Sequence, residues 1–348
     1  MKKYFKTFMI CLVGILGLVF FNTLDVKAAQ TPAQPVINYS VTPIQSQYQF
    51  DKKVTYFDLK VTPNQKLSVS FKINNNDTKA HTYTVMINRA STDTNGVIAY
   101  NDSKVEPDKS LKYDIQKLVS YPKKVSVGPK TSKEVTVNIN APSGTFNGVV
   151  LGGILVEQDD QVNKKNPKGV TIKNKYNYVL GLQLLQNTKP VKANLKFIKA
   201  YETTKNGQVF VNALLDNDVP RIESGVQINS KVTDSNQKVV LQSKKANMDL
   251  APNSYFNYPV NINTVVGTNK NKRLKPGTYQ MTLNIKANNG KDIWNLQRKF
   301  TVTSQETKAI NKKTPVDRGS KDLIIGIIAG LVVISGLVIW YYRKHKLN

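Results

Sequence analysis

An alternation of apolar and polar residues at a period of two decides what most of this chain can become. Over residues 66–74, Leu67, Val69, Phe71 and Ile73 share one face; Tyr83, Val85 and Ile87 repeat the pattern, as do Val135, Val137 and Ile139. Successive strand residues point to opposite faces, so this spacing predicts half-buried strands. Turn-forming residues punctuate them at Asn74-Asn75-Asn76-Asp77, Asn95-Gly96, Pro122 and Pro142-Ser143-Gly144. Residues 149–156 are more continuously apolar and predict a central strand that closes a first domain, with Gly152 and Gly153 admitting a bulge or a close backbone approach. A second set of strands is expected to open at Gly169, with turns at Asn206-Gly207, Pro276-Gly277 and Asn289-Gly290. Many short strands without a helical period indicate an all-β chain of two antiparallel β-sandwich domains.

The two ends read differently. Leu323 to Tyr342 carries no charge, and a helix over it spans about 30 Å, one bilayer core. Trp340, Tyr341 and Tyr342 suit the interface, and Arg343, Lys344 and Lys346 follow, which puts the C-terminus in the cytoplasm. At the other end Lys2, Lys3 and Lys6 precede the apolar run 8–21 and the small-residue pattern Val26-Lys27-Ala28, so an N-terminal signal peptide cut after Ala28 is expected. A buried core helix and a retained signal anchor are the competing readings. The expected organisation is signal peptide 1–28, lead-in 29–36, first β-sandwich 37–157, linker or exposed hairpin 158–168, second β-sandwich 169–304, stalk 305–321, transmembrane helix 322–342 and tail 343–348. Localisation follows as single-pass in the cell membrane, with the ectodomain outside. Within the helix, Gly326 and Gly330 have the spacing of a close helix–helix contact.

The sole cysteine, Cys11, lies in the expected signal peptide, so disulfides, thiol nucleophiles and thiolate metal sites are excluded from the rest. Formal net charge is +27, and most of it falls outside the two ends. A basic outer surface favours anionic polymers or surfaces: teichoic acids, peptidoglycan carboxylates or lipid headgroups. A solvated lysine-rich face is the alternative. Nucleic acid is not an expected partner, given the compartment and the lack of an arginine cluster. Two histidines, His81 and His345, build no triad, and His81 reads as a plain surface residue. Asp159-Asp160 and Asp216-Asn217-Asp218 are the acidic clusters; the second lacks the glycine and distal glutamate of a calcium loop and reads as a turn. No catalytic residue, metal or cofactor is expected, although an unrecognised serine–lysine or carboxylate site is not removed by counting. No sortase motif precedes the C-terminal helix; Lys313-Thr314-Pro315 does not match one.

An ordered series of short motifs resembles the WxL-interacting protein family of Gram-positive surfaces. In the first domain these are Thr55-Tyr56-Phe57-Asp58-Leu59, Asn64-Gln65, residues 95–100, and Phe146-Asn147-Gly148 running into Leu151-Gly152-Gly153. In the second they are residues 176–182, Ala251-Pro252-Asn253-Ser254, Gly277 with Tyr279, and Trp294 with Phe300. The resemblance implies immunoglobulin-like sandwiches, noncovalent attachment to peptidoglycan through the first, and WxL-domain surface proteins and a host extracellular-matrix protein as partners. Trp294-Asn295-Leu296 spells the tripeptide of the partner family, but Trp294 reads as a core or sheet-edge aromatic. Tyr56, Asp58, Asn95 and Tyr100 are the candidate glycan-binding residues, because sugar sites combine aromatic faces with amide and carboxylate acceptors. Each is equally readable as a strand or turn residue. The expected role is an adhesin or scaffold; a wall-modifying enzyme or accessory, or a charge-driven teichoic-acid binder, is the alternative.

Overall fold

The computed structural model describes residues 37–159, 176–205, 208–262, 274–305 and 307. The apolar runs 8–21 and 323–342, with Gly326 and Gly330, lie outside them, as do most of the expected linker and stalk. Among the described residues no helix is long and apolar enough to cross a membrane.

The first sandwich is built as the alternation predicts. One sheet orders β1 (Tyr39–Pro43), β3 (Lys66–Asn75), β9 (Ser132–Asn140) and β7 (Val119–Ser120). The other orders β2 (Phe57–Lys60), β11 (Asn177–Leu185), β10 (Val149–Gln158), β4 (His81–Arg89) and β8 (Lys124–Val127). Phe71, Ile73, Val137 and Ile139 from the first sheet meet Ile87, Ile154, Leu182 and Leu184 from the second in one buried core. A single helical turn, α1 (Ile115–Leu118), is capped by the Asp114 carboxylate, which accepts from Gln116 N at 3.1 Å, and it drops Ile115 into that core.

Residues 177–185, expected in the second sandwich, complete the first instead. β11 pairs antiparallel with β10 from Val149↔Leu185 to Glu157↔Asn177, and parallel with β2 from Leu182↔Phe57 to Leu185↔Lys60. The first domain therefore runs past the expected boundary at 157, and β10 is central but does not close it. The physical reason is that the alternation of Leu180, Leu182 and Leu184 suits any half-open sheet; only the vacancy between β2 and β10 selects this one. The parallel β2–β11 pair also departs from a purely antiparallel sandwich. His81, expected at the surface, is the first residue of β4; it is buried, with Nε2 3.0 Å from Asp77 Oδ2 and Nδ1 3.2 Å from Gln158 Nε2.

The second sandwich stacks a sheet of β12 (Leu195–Lys205), β13 (Gln208–Asn217) and β16 (Ser254–Asn261) on one of β15 (Val239–Leu250), β14 (Glu223–Thr233), β17 (Gly277–Ala287) and β18 (Asp292–Val302). Val211, Leu215, Ile228, Tyr258, Met281 and Ile285 are among its buried core. Trp294 sits on edge strand β18 and packs, partly buried, against that core. Asp216 and Asn217 end strand β13 rather than forming a turn, and the Asn217 amide donates to the carbonyls of Arg221 and Ala251.

The sandwiches are joined by residues 186–194 and by direct contact. A hairpin of β5 (Ser91–Thr92) and β6 (Ile98–Ala99) leaves the first and meets the second: Asp249 N donates to Gly96 O at 2.8 Å and Ala251 N to Thr92 Oγ1 at 2.9 Å. A small apolar cluster of Ala90, Leu151 and Ala251, flanked by Ile98, Tyr100 and Ile222, seals this junction. Val149 N donates to Pro220 O at 2.9 Å beside Gly148, whose φ is +77°. A Cβ there would lie 2.0 Å from Pro220 O, so only glycine permits both the left-handed backbone and the close approach.

Candidate functional site

The candidate site grows from two glycines. Gly153 on β10 and Gly181 on β11 are register partners, and both lie on the outer face of their sheet, because Ile154, Leu180 and Leu182 beside them point into the core. Without side chains the two positions leave a shallow bed on an otherwise filled surface. Tyr100 occupies it over Gly153: a Cβ on that glycine would meet the ring Cγ at 2.5 Å. Tyr56 occupies it over Gly181, where the corresponding distance to Tyr56 Cβ is 3.3 Å. Asn88, itself buried on β4, donates from Nδ2 to Tyr100 O at 2.7 Å and holds the strand end down.

Beside the rings, Asp58 is outward on β2, since Phe57 and Leu59 are inward, and it is covered enough to be 4 % exposed. Its Oδ1 accepts from Gln183 Nε2 at 2.7 Å, a bond between register partners. Lys60 lies one outward position further, with Nζ 5.9 Å from the centre of the Phe50 ring. Tyr56 and Phe50 remain open to solvent, at 38 % and 47 % exposure. Partial burial, then the carboxylates of Asp58 and Asp51, raise the Tyr56 phenol. Burial first, and the neighbouring Tyr56 second, push the Tyr100 phenol up to about 12. Both rings are therefore neutral hydrogen-bonding groups at physiological pH.

The outer face thus presents the exposed Tyr56 and Phe50 rings and the partly covered Tyr100 ring together with the Gln183 amide and the Lys60 ammonium, while the Asp58 carboxylate is buried and held by Gln183. Of the expected residues, Tyr56, Asp58 and Tyr100 converge here. Asn95 does not join them; it is in the turn of the β5–β6 hairpin, where its N–H donates to Asp93 Oδ1 at 2.8 Å, next to the Gly96 contact with the second sandwich. Gly181, Gln183, Lys60 and Phe50 were not foreseen as site residues. Sequence spacing held one trace of them, the glycine pair 152–153, but its partner on β11 becomes visible only through the register.

Among the described residues no group of three or more His, Cys, Asp or Glu side chains is placed to hold a metal ion. Asp216 has its carboxyl raised to about 6, by burial and then by Asp108 and Asp218.

Residues 39–158 match the family model described as WxL Interacting Protein, peptidoglycan binding domain, and residues 167–312 match WxL Interacting Protein, host binding domain. The chain belongs to the WxL Interacting Protein family. Both matched models describe binding domains. Strand β11, which falls inside the range of the host-binding model, is an inner strand of the sandwich that carries the peptidoglycan-binding match. Gly181 and Gln183 of the tyrosine face thus come from beyond the first matched range. No curated protein matches the chain. Similar solved structures include the YadV chaperone, at 10 % identity and TM-score 0.28 over 76 % of this chain and 100 % of that one. The Pseudomonas aeruginosa CupB2 chaperone is similar at 10 % identity and TM-score 0.27, over 68 % and 92 %. The E. coli chaperone DraB is similar at 13 % identity and TM-score 0.25, over 68 % of this chain and 90 % of that one.

Proposed function

We propose that this WxL Interacting Protein is a cell-surface scaffold that acts by binding and not by catalysis. Its first sandwich holds the glycan strand of peptidoglycan on the Tyr56–Tyr100 face. Its second presents a surface to WxL-domain proteins or to a host matrix protein. The single observation that supports the glycan contact is the pair of tyrosine rings bedded on Gly153 and Gly181, with Asp58 and Gln183 bonded alongside. In this reading the run 323–342 is a membrane anchor, the C-terminus is cytoplasmic and both sandwiches face the wall.

The test is retention of the full chain, in detergent micelles, on purified peptidoglycan at physiological salt. Tyr56→Ala removes an exposed ring without touching the core, and it is expected to weaken retention by about tenfold, the scale of one lost aromatic contact. Retention equal to wild type would refute the site. A second reading, charge-driven attachment to teichoic acids, is favoured by the formal charge of +27. It predicts retention that collapses as salt rises and ignores Tyr56→Ala.

A further inference from the structure

The outer face of the larger sheet in the second sandwich is a grid of amides and lysines. Ile228, Val232, Met281, Leu283, Ile285 and Phe300 point into the core, so the residues between them on their strands point outward. Lys244, Asn229, Asn284 and Asn295 are successive register partners across β15, β14, β17 and β18, and Gln242, Lys231, Thr282 and Gln297 form the next row. Lys286 stands in the row before these two and Lys299 in the row after them. Consecutive rows along a strand face are about 6.8 Å apart, so each of four rows bears one outward lysine over a length of about 20 Å.

All four lysines are exposed, and among the described residues none of them is ion-paired. No Asp or Glu occupies an outward position in these rows. The acids nearest along the chain lie off the face: Glu223 is buried, Asp292 Oδ2 is held by Arg221, and Asp249 Oδ1 accepts from Gly225 N at 2.9 Å. Asp234 lies past the row of Lys299, where its Oδ1 accepts from Lys238 N at 3.0 Å in the turn after β14. The amides are partly ordered by one another, Asn284 Nδ2 donating to Asn295 Oδ1 at 2.6 Å and Gln280 Nε2 to Gln297 Oε1 at 3.1 Å. Each bond leaves the second amide's NH2 group to donate to another molecule. Exposed large apolar side chains stand only at opposite corners, Ile293 and Val239.

We propose that this face binds a sulfated polysaccharide of the glycosaminoglycan class, laid along the strands. The lysine ammonium groups pair with sulfates of the polymer, and the Asn and Gln amides between them bond its sugar hydroxyls. The occupant follows from charge and polarity. A protein partner needs a central cluster of aromatic or aliphatic anchors, and here the centre is amide and ammonium throughout. A second copy of the chain would set lysine against lysine. The proposal deepens the reading of the second sandwich as a host-facing surface and rests on it, through the host-binding match over residues 167–312, for the choice of a host polymer. It is independent of the tyrosine face.

The experiment is titration calorimetry on the full chain in detergent micelles, at physiological salt, with heparin oligosaccharides, unsulfated hyaluronan oligosaccharides of equal length, and poly(glycerol phosphate) as probes. Heparin is expected to bind at least about tenfold more tightly than either other polymer. Replacing Lys231, Lys244, Lys286 and Lys299 together by Gln is expected to weaken heparin binding by at least about tenfold. Replacing Lys66, Lys72, Lys104 and Lys133 by Gln removes the same charge from exposed positions of the first sandwich, and is expected to change it by less than about twofold. In the unsubstituted chain, heparin is expected to shield the first four lysines, and not the second four, from an amine-reactive label read by mass spectrometry; that measurement requires no variant to fold. Tyr56→Ala is expected to bind heparin as wild type does, so failure of the tyrosine face and failure of this one are told apart. Equal weakening by the two sets of substitutions, hyaluronan or poly(glycerol phosphate) bound as tightly as heparin, absence of shielding, or loss of heparin binding in Tyr56→Ala would each overturn the proposal.

Discussion

Gly153→Ala separates the architecture of the tyrosine face from that of the sandwich beneath it. The added Cβ would lie 2.5, 2.7 and 2.8 Å from Cγ, Cδ1 and Cβ of Tyr100, against the ~3.5–4.0 Å of an ordinary carbon contact. Because Cβ of the tyrosine is among the colliding atoms, a ring flip does not relieve the overlap, and the segment must lift by about 1 Å. That movement breaks the 2.7 Å bond from Asn88 Nδ2 to Tyr100 O and leaves a buried amide unpaired, at a cost of about 1–3 kcal/mol. Alanine regains about 0.5–1 kcal/mol over glycine in a strand. The net expectation is a loss of about 1–2 kcal/mol together with weaker retention on peptidoglycan. Urea unfolding followed by far-UV circular dichroism measures the first, provided the slope is unchanged. The decisive comparison is a double-mutant cycle with Tyr100→Gly, which removes all three colliding atoms. In that background Gly153→Ala should become neutral or stabilising. If it costs as much with Tyr100 absent as with Tyr100 present, the ring-on-glycine account is wrong.

The domain boundary and the acid response are also testable. A fragment of residues 29–160 lacks β11 and hence Leu180, Leu182 and Leu184 of the first core; it is expected to be unfolded by circular dichroism, whereas 29–190 folds. Cooperative unfolding of the shorter fragment would contradict the strand assignment. Asp216 has its folded pKa raised from 3.8 to about 6, so the native state holds more protons than the unfolded state between those values. Its effect is that stability falls as pH rises from about 4 to about 6. Asp216→Asn is expected to melt higher than wild type at pH 7 and to match it near pH 4; a difference independent of pH would place the cause elsewhere.

Much of this was legible in local pattern. The strands through Leu67–Ile73, Tyr83–Ile87 and Val135–Ile139 announce themselves because side-chain direction alternates whatever the sheet, and Gly152-Gly153 marks a close approach because a glycine pair in an apolar strand has little other use. The tyrosine face was half legible: residue type nominated Tyr56, Asp58 and Tyr100, while nothing local could tell that Asn95 belongs to a hairpin turned toward the second sandwich. His81 was misjudged for a similar reason, since a polar residue after a turn is buried only when partners such as Asp77 and Gln158 arrive from elsewhere.

By itself, then, the amino-acid sequence determined the class of structure: period-two strands, a cysteine-free core, a basic surface and the family motifs are all properties of neighbours along the chain. Tertiary structure alone decided which sandwich β11 completes, that Gly181 faces Gly153 under two tyrosine rings, and that lysines of four strands share one outer face. Those facts depend on register and on contacts between residues well separated along the chain, from Gly153 with Gly181 to Phe57 with Leu182. Alternation leaves such contacts free, because every half-buried strand satisfies the same local rule, and only the competition for a particular sheet edge resolves it.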